Sequence, residues 1–180
     1  TQQSAGVRQV FLRELSGGSF AALSGSASGT AVSGVSDPAF AGAIAHGATP
    51  SVAYFGNQLL VAWQAFSDQG AALSVAAFGT GASRPLLHVD TVQAPTDLPS
   101  SPVLSAGGGA LRLLWVHTPV HTAPTELRAL RFDGFGFHAE VPGEDGPGGI
   151  SRTGGEATQV VAATDASGRT SIAWLDGASG

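Results

Sequence analysis

The chain has no cysteine, no methionine and no lysine among its 180 residues. Without cysteine there are no disulfides, no zinc–thiolate centres and no thiol nucleophile. Without lysine, basic charge rests on 8 arginines against 13 acidic residues, and the net charge of −5 leaves no basic stripe with which to bind nucleic acid. No apolar run approaches the roughly 20 residues that a membrane-spanning helix needs. Charged residues are only 12 % of the whole and hydrophobic residues 43 %, which excludes a disordered acidic chain and a coiled coil. The absence of methionine extends to position 1, where Thr1 reads as a processed terminus or the edge of a fragment. A removed secretory signal fits that reading. Together with arginine-only basic charge in a Gly-, Ala- and Pro-rich chain, it points to an exported bacterial protein: extracellular, cell-surface or periplasmic.

What is present is glycine (26 residues), proline (10 residues) and short alternating apolar runs. That combination predicts an all-β chain of short strands joined by turns. The clearest run is Ala110 to His117, where Leu111, Leu113 and Trp115 alternate with their neighbours and so share one strand face. A second strand is expected over Leu127–Phe132. It leads into a two-residue turn at Asp133-Gly134 and then a strand over Phe137–Val141.

The same layout recurs. Pro50 to Leu73 contains Ser51–Tyr54, a turn at Phe55-Gly-Asn-Gln58 and Leu59–Phe66; Leu73–Phe78 and Pro85–Val89 follow. The end of the chain offers Thr158–Ala163, a turn over Asp165–Gly168 and Thr170–Trp174. The start offers Val10–Leu15, Ser16-Gly-Gly-Ser19 and Phe20–Leu23, then a Ser/Gly/Ala-rich loop over Ser24–Pro38 and a small apolar stretch over Ala39–Ala45. Leu59-Leu-Val-Ala-Trp63, Leu111-Arg-Leu-Leu-Trp115 and Thr170-Ser-Ile-Ala-Trp174 place all three tryptophans at one equivalent position, at intervals of 52 and 59 residues.

Four short strands per unit at that period predict β-propeller blades, with a β-sandwich as the alternative architecture. The boundaries are 50–90 and 102–141 for two whole blades, 8–23 for the outer strands of a split blade and 157–176 for its inner strands. About three blades cannot close a ring. Completion is therefore expected from a second copy in a homodimer, or from the remainder of a longer chain.

At the level of pattern the chain resembles bacterial propeller repeats. Asp165-Ala-Ser-Gly-Arg-Thr-Ser-Ile-Ala-Trp174 is similar to a loose Asp-box of sialidase-type repeats, where such residues are structural. Phe132-Asp-Gly-Phe-Gly-Phe137 is similar to the Trp-Asp-Gly-x-Gly-Trp hairpin of small fucose-binding propeller lectins, with Phe at both Trp positions. The resemblance implies a ring of blades and carbohydrate as a class of ligand.

The candidate binding residues are Trp63, Trp115, Trp174, Asp133 and Phe135. An indole can stack on a pyranose, but equivalent tryptophans in every unit fit packing between units at least as well. The histidines of His117-Thr-Pro-Val-His121 have helix-type metal spacing on a strand-to-loop segment interrupted by Pro119, so no metal site is expected. Asp68, Asp97, Asp133, Asp165 and Asp176 stand singly, mostly in turns, where carboxylates cap backbone amides. Glu144-Asp145 is the one adjacent acidic pair. No Gly-x-Ser-x-Gly elbow occurs, no Gly-rich turn opens a phosphate-binding helix, and no cofactor is expected. The function expected is a non-catalytic structural or interaction subunit that binds a protein partner through loops such as Ser24–Pro38 and Pro142–Gly155. A carbohydrate-binding lectin is the alternative, and a propeller-type glycoside hydrolase fragment comes after it.

Overall fold

A computed structural model describes residues 11–13, 20–22, 46–67, 70–79, 86–93, 98–119, 124–146 and 149–177. The expected turn at 16–19, the loop at 24–38, the stretch at 39–45 and His121 lie outside the described residues. Among the described residues twelve strands account for the regular structure: β1 (Phe11–Arg13), β2 (Phe20–Ala22), β3 (His46–Phe55), β4 (Gln58–Ser67), β5 (Gly70–Gly79), β6 (Leu86–Gln93), β7 (Leu98–Gly107), β8 (Ala110–Thr118), β9 (Glu126–Phe132), β10 (Phe137–His138), β11 (Glu156–Thr164) and β12 (Thr170–Gly177). No helix occurs among the described residues, so the all-β expectation holds.

The strands form antiparallel sheets in which each strand pairs with its sequence neighbour. Two sheets have four strands, in the orders β3-β4-β5-β6 and β7-β8-β9-β10. Two have two strands, β1-β2 and β11-β12, and none closes on itself. The β7–β8 connection explains this up-and-down order locally: Gly108 and Gly109 have φ of 54° and 74°, the left-handed backbone that a tight hairpin requires.

The β3–β6, β7–β10 and β11–β12 sheets stack face to face, and β8 reveals how. Leu111, Leu113 and Trp115 project from one face into a core with Leu60 and Ala62 of β4 and Leu73 and Val75 of β5. Leu114 and Val116 project from the other face onto Ala157 and Val160 of β11, beside Ile172 and Trp174 of β12. The β7–β10 sheet is thus the middle layer, buried on both sides. The packing relation repeats: β7 lies against β3, β4 and β5, and β11 lies against β7, β8 and β9. Polar ties join the first strands of successive sheets. The Leu104 amide donates to Ser51 Oγ at 2.9 Å, and the Ser105 and Thr164 hydroxyls meet at 2.7 Å. An edge-to-face pair, Phe55 on Phe132, and a tilted pair, Phe132 on Phe137, fill the space near the strand ends.

One device marks all three units. The pairing of β3 with β4 slips between Ala48 and Ser51, that of β7 with β8 between Ser100 and Val103, and that of β11 with β12 between Thr158 and Val161. Each slip is a β-bulge, and a tryptophan lies opposite each one: Trp63, Trp115 and Trp174. The first bulged residue is non-glycine with positive φ every time, 48° at Thr49 and 50° at both Ser101 and Gln159. Left-handed backbone costs an L-residue on the order of 1–2 kcal/mol. Its recurrence three times opposite the same side chain ties it to the packing of that side chain.

Several expectations need correction. Ala94 to Pro102 reads in sequence as a Pro-rich spacer between the two whole blades, but Pro99 and Pro102 lie within β7, where an edge strand and a bulge tolerate the missing amide. β10 has two residues and not the five of Phe137–Val141. The reason is that Glu144 and Ile150 take over the edge of β9, where the Ala129 amide donates to the Glu144 carbonyl at 3.2 Å and the Ile150 amide to the Leu127 carbonyl at 2.7 Å. The turn after β9 is a four-residue loop, because Phe132 pairs with Phe137 and the Asp133 amide donates to the Gly136 carbonyl. Of its two expected turn residues only Gly134 has positive φ. The tryptophans are equivalent in register but not in burial. Trp63 and Trp115 are 0 % exposed, whereas Trp174 is half-buried because β12 has no strand on its second edge among the described residues.

Candidate functional site

A groove of about 300 Å³ opens between the middle sheet and the β11–β12 sheet. Ala129, Leu130, Ile150 and Ile172 make its apolar wall, and Arg112, Arg131, Glu140, Glu144 and Thr170 carry its polar groups. Strand register sets the arrangement. Arg112 of β8 pairs directly with Arg131 of β9, and both share the face that carries Leu114 and Ala129. Like charges directly opposite on a sheet repel.

Glu140 resolves that repulsion. Its Oε2 accepts from Arg112 Nε at 3.0 Å and from an Arg112 terminal nitrogen at 2.7 Å, and its Oε1 accepts from Arg131 at 3.0 Å. The Arg112 hydrogen bond, then partial burial working against it, then the charges of both arginines leave the Glu140 carboxyl below its ordinary range. Arg112 also donates to the Gly168 carbonyl at 3.0 Å and to Thr170 Oγ1 at 2.8 Å. Thr170 is bonded to Thr164, and Thr164 to Ser105. A polar chain thus runs Arg131–Glu140–Arg112–Thr170–Thr164–Ser105 across two sheets. Glu144 Oε2 accepts the amides of Glu140 and Val141, at 3.1 and 2.9 Å, which fixes the segment that presents Glu140.

A carboxyl held ionised by two guanidiniums cannot serve as the protonated acid of a glycosidase. Arg131 lines the groove, is 48 % exposed and, among the described residues, bonds Glu140 through one terminal nitrogen. Among the described residues no group of three or more His, Asp or Glu is placed to hold a metal ion.

None of the five candidates named from the sequence lines this groove. Trp63 and Trp115 have no exposed indole face; Trp174 turns its Nε1 towards Asp176 Oδ2 at 3.4 Å. Asp133 sits in the loop after β9, where its Oδ1 accepts the Phe135 and Gly136 amides at 2.8 and 3.0 Å and its Oδ2 meets His138 at 2.7 Å. Those amide bonds first, and His138 after them, lower the Asp133 pKa to about 2. Phe135 stands at the tip of the loop, 95 % exposed. Asp165 likewise caps its own turn through the Ser167 and Arg169 amides. Sequence reasoning missed Arg112, Arg131 and Glu140. The available signal was that two arginines interrupt otherwise apolar strands.

The second exposed feature is the β11–β12 sheet itself. Val161 and Leu175 on its outer face are 62 % and 56 % exposed, with Ala163, Ser171 and Ala173 exposed between them. Aligning the tryptophans matches Ala173 to Ala62 and Leu114, both buried by the next sheet. The second edge of β12 pairs with no strand among the described residues.

No protein-family model matches the chain, and no curated protein or solved structure shows significant similarity to it.

Proposed function

We propose that the chain is a non-catalytic interaction subunit of the β-propeller type, its stacked sheets being successive blades, and that it joins a protein partner through the open β11–β12 blade. The carrying observation is the contrast between units: among the described residues, the face and edge covered in the first two are bare in the third. The repeated bulge opposite each tryptophan, and the identical placement of β7 and β11 on the preceding sheet, support the blade reading. An exposed apolar face beside an unpaired edge is the combination that soluble β proteins cover. The loop Pro142–Gly155, by contrast, commits part of its backbone to β9, which leaves it less free to engage a partner. Leu175→Glu tests the proposal. It should leave the circular dichroism spectrum unchanged and abolish association measured by sedimentation; unaltered association would refute it.

One observation favours a second reading, carbohydrate binding. The Arg112–Glu140–Arg131 groove pairs an apolar wall with fixed planar donors and acceptors of the kind that grip vicinal hydroxyls. A glycan array with wild type and Arg131→Ala tests it: glycan signals lost in the variant support sugar recognition here, and an unlabelled array contradicts it.

A further inference from the structure

We infer that the strands completing the β11–β12 sheet are β1 and β2 of a second copy of this chain. This rests on the assembly reading above and adds the identity and register of the partner.

The two-stranded sheet lacks what β5 and β6 supply to β4, and what β9 and β10 supply to β8: an antiparallel hairpin laid on the free edge of the second strand. Among the described residues one hairpin is not used in that way. β1 and β2 pair only with each other among the described residues, through Phe11 with Ala22, Leu12 with Ala21 and Arg13 with Phe20. An isolated two-stranded hairpin is marginally stable in water, and an open two-stranded sheet carries unpaired amides and carbonyls along its edge. Each element supplies what the other lacks.

The complete sheets also fix a register. The pair that closes the outer hairpin is Phe78 with Leu86 in one and Phe132 with Phe137 in the other. Phe78 lies opposite Leu59, four residues before Trp63. Phe132, one position beyond the Arg112–Arg131 pair, falls opposite Leu111, four residues before Trp115. The corresponding residue of β12 is Thr170, four before Trp174. Setting the closing pair Arg13–Phe20 at that point places Leu12 opposite Ser171 and Phe11 opposite Ile172. Leu12 then takes a position on the face that carries Leu175 and adds an apolar residue to it. With two copies related by a twofold axis the same pairing forms twice, so both two-stranded sheets gain their missing strands together.

The absence of cysteine makes the test free of background. A tagged Leu12→Cys chain and an untagged chain with cysteine at 169, 171 or 173 are coexpressed and oxidised, and the disulfide-linked species are identified by mass. Mixed disulfides that are strongest with Ser171→Cys are expected, because directly opposed residues bring their Cβ atoms within about 4.5–5.5 Å. Two results overturn the inference. If Leu175→Glu disrupts association and no mixed disulfide forms at any position, the open sheet is a docking surface with a different occupant. If the protein is monomeric and neither variant alters it, the assembly reading falls as well. A cross-link within one chain, seen at monomer mass when Leu12→Cys and Ser171→Cys are combined in one polypeptide, assigns the hairpin to its own sheet and also refutes the inference.

Discussion

Trp115 and Trp174 occupy the same register opposite the same bulge and each faces the preceding sheet, so replacing each by alanine isolates what the outer strands β9 and β10, which have no counterpart beside β12 among the described residues, contribute. Trp115 is 0 % exposed between the middle sheet and the β3–β6 sheet, among Leu60, Leu73, Val75 and Leu113. Truncation there removes the transfer free energy of a whole indole and leaves a cavity in a core that relaxes only in part. The expected cost is about 3–5 kcal/mol, which for a chain of this size lowers Tm by roughly 6–20 °C. Trp174 is half-buried and its neighbours can close over the gap, so Trp174→Ala should cost about 1–2 kcal/mol when measured on the monomer. Trp115→Phe sharpens the argument. The Trp115 Nε1 is buried with no hydrogen-bond partner among the described residues, so phenylalanine keeps much of the aromatic volume and removes an unsatisfied donor; the net change should be within about 1 kcal/mol. Urea denaturation followed by far-ultraviolet circular dichroism gives all three values. Equal costs for the two alanine variants would refute the layered packing, since burial is the only difference the account allows between them.

Other outcomes follow from the same geometry. Glu140→Gln leaves Arg112 opposite Arg131 without a counter-charge and should cost about 1 kcal/mol, reduced by the partial exposure of the site. Because the folded-state pKa of Glu140 lies below the ordinary 4.5, its contribution is present in full above that value and lost as pH falls through the lowered one. The stability difference between wild type and Glu140→Gln should therefore shrink on acidification below about pH 4.5. In a carboxyl-detected titration Asp133 should ionise near pH 2, and a midpoint near the ordinary 3.8 would remove the two amide hydrogen bonds from the account. Gly108→Ala should cost about 2–4 kcal/mol, since a Cβ there collides with Gly168 and Ala166 of the neighbouring turn in addition to the left-handed strain; Gly109→Ala, facing open space, should cost about 1 kcal/mol.

The strands were legible because their chemistry is local. Leu111, Leu113 and Trp115 alternate in sequence and do share one face, and most of the described strands overlap a stretch that alternation and turn residues single out. The bulges were not legible: Thr49, Ser101 and Gln159 are not residues that favour positive φ, and their backbone is imposed by what lies across the strand pair. Pro99 and Pro102 read as a linker because proline suits both a linker and an edge strand. The groove was hidden for a related reason. Arg112 and Glu140 are 28 residues apart, and they meet only because a four-residue loop and a very short β10 return the chain to that place. The turn aspartates were readable, since Asp133 and Asp165 cap amides within four residues of themselves.

The central claim is that the layered sheets are left open at β11–β12 and are closed by another copy of the chain. Light scattering of the purified protein across a range of concentrations tests it most directly. The account predicts a species of twice the chain mass that Leu175→Glu converts to monomer without loss of secondary structure. A strictly monomeric, fully folded wild-type protein would contradict it.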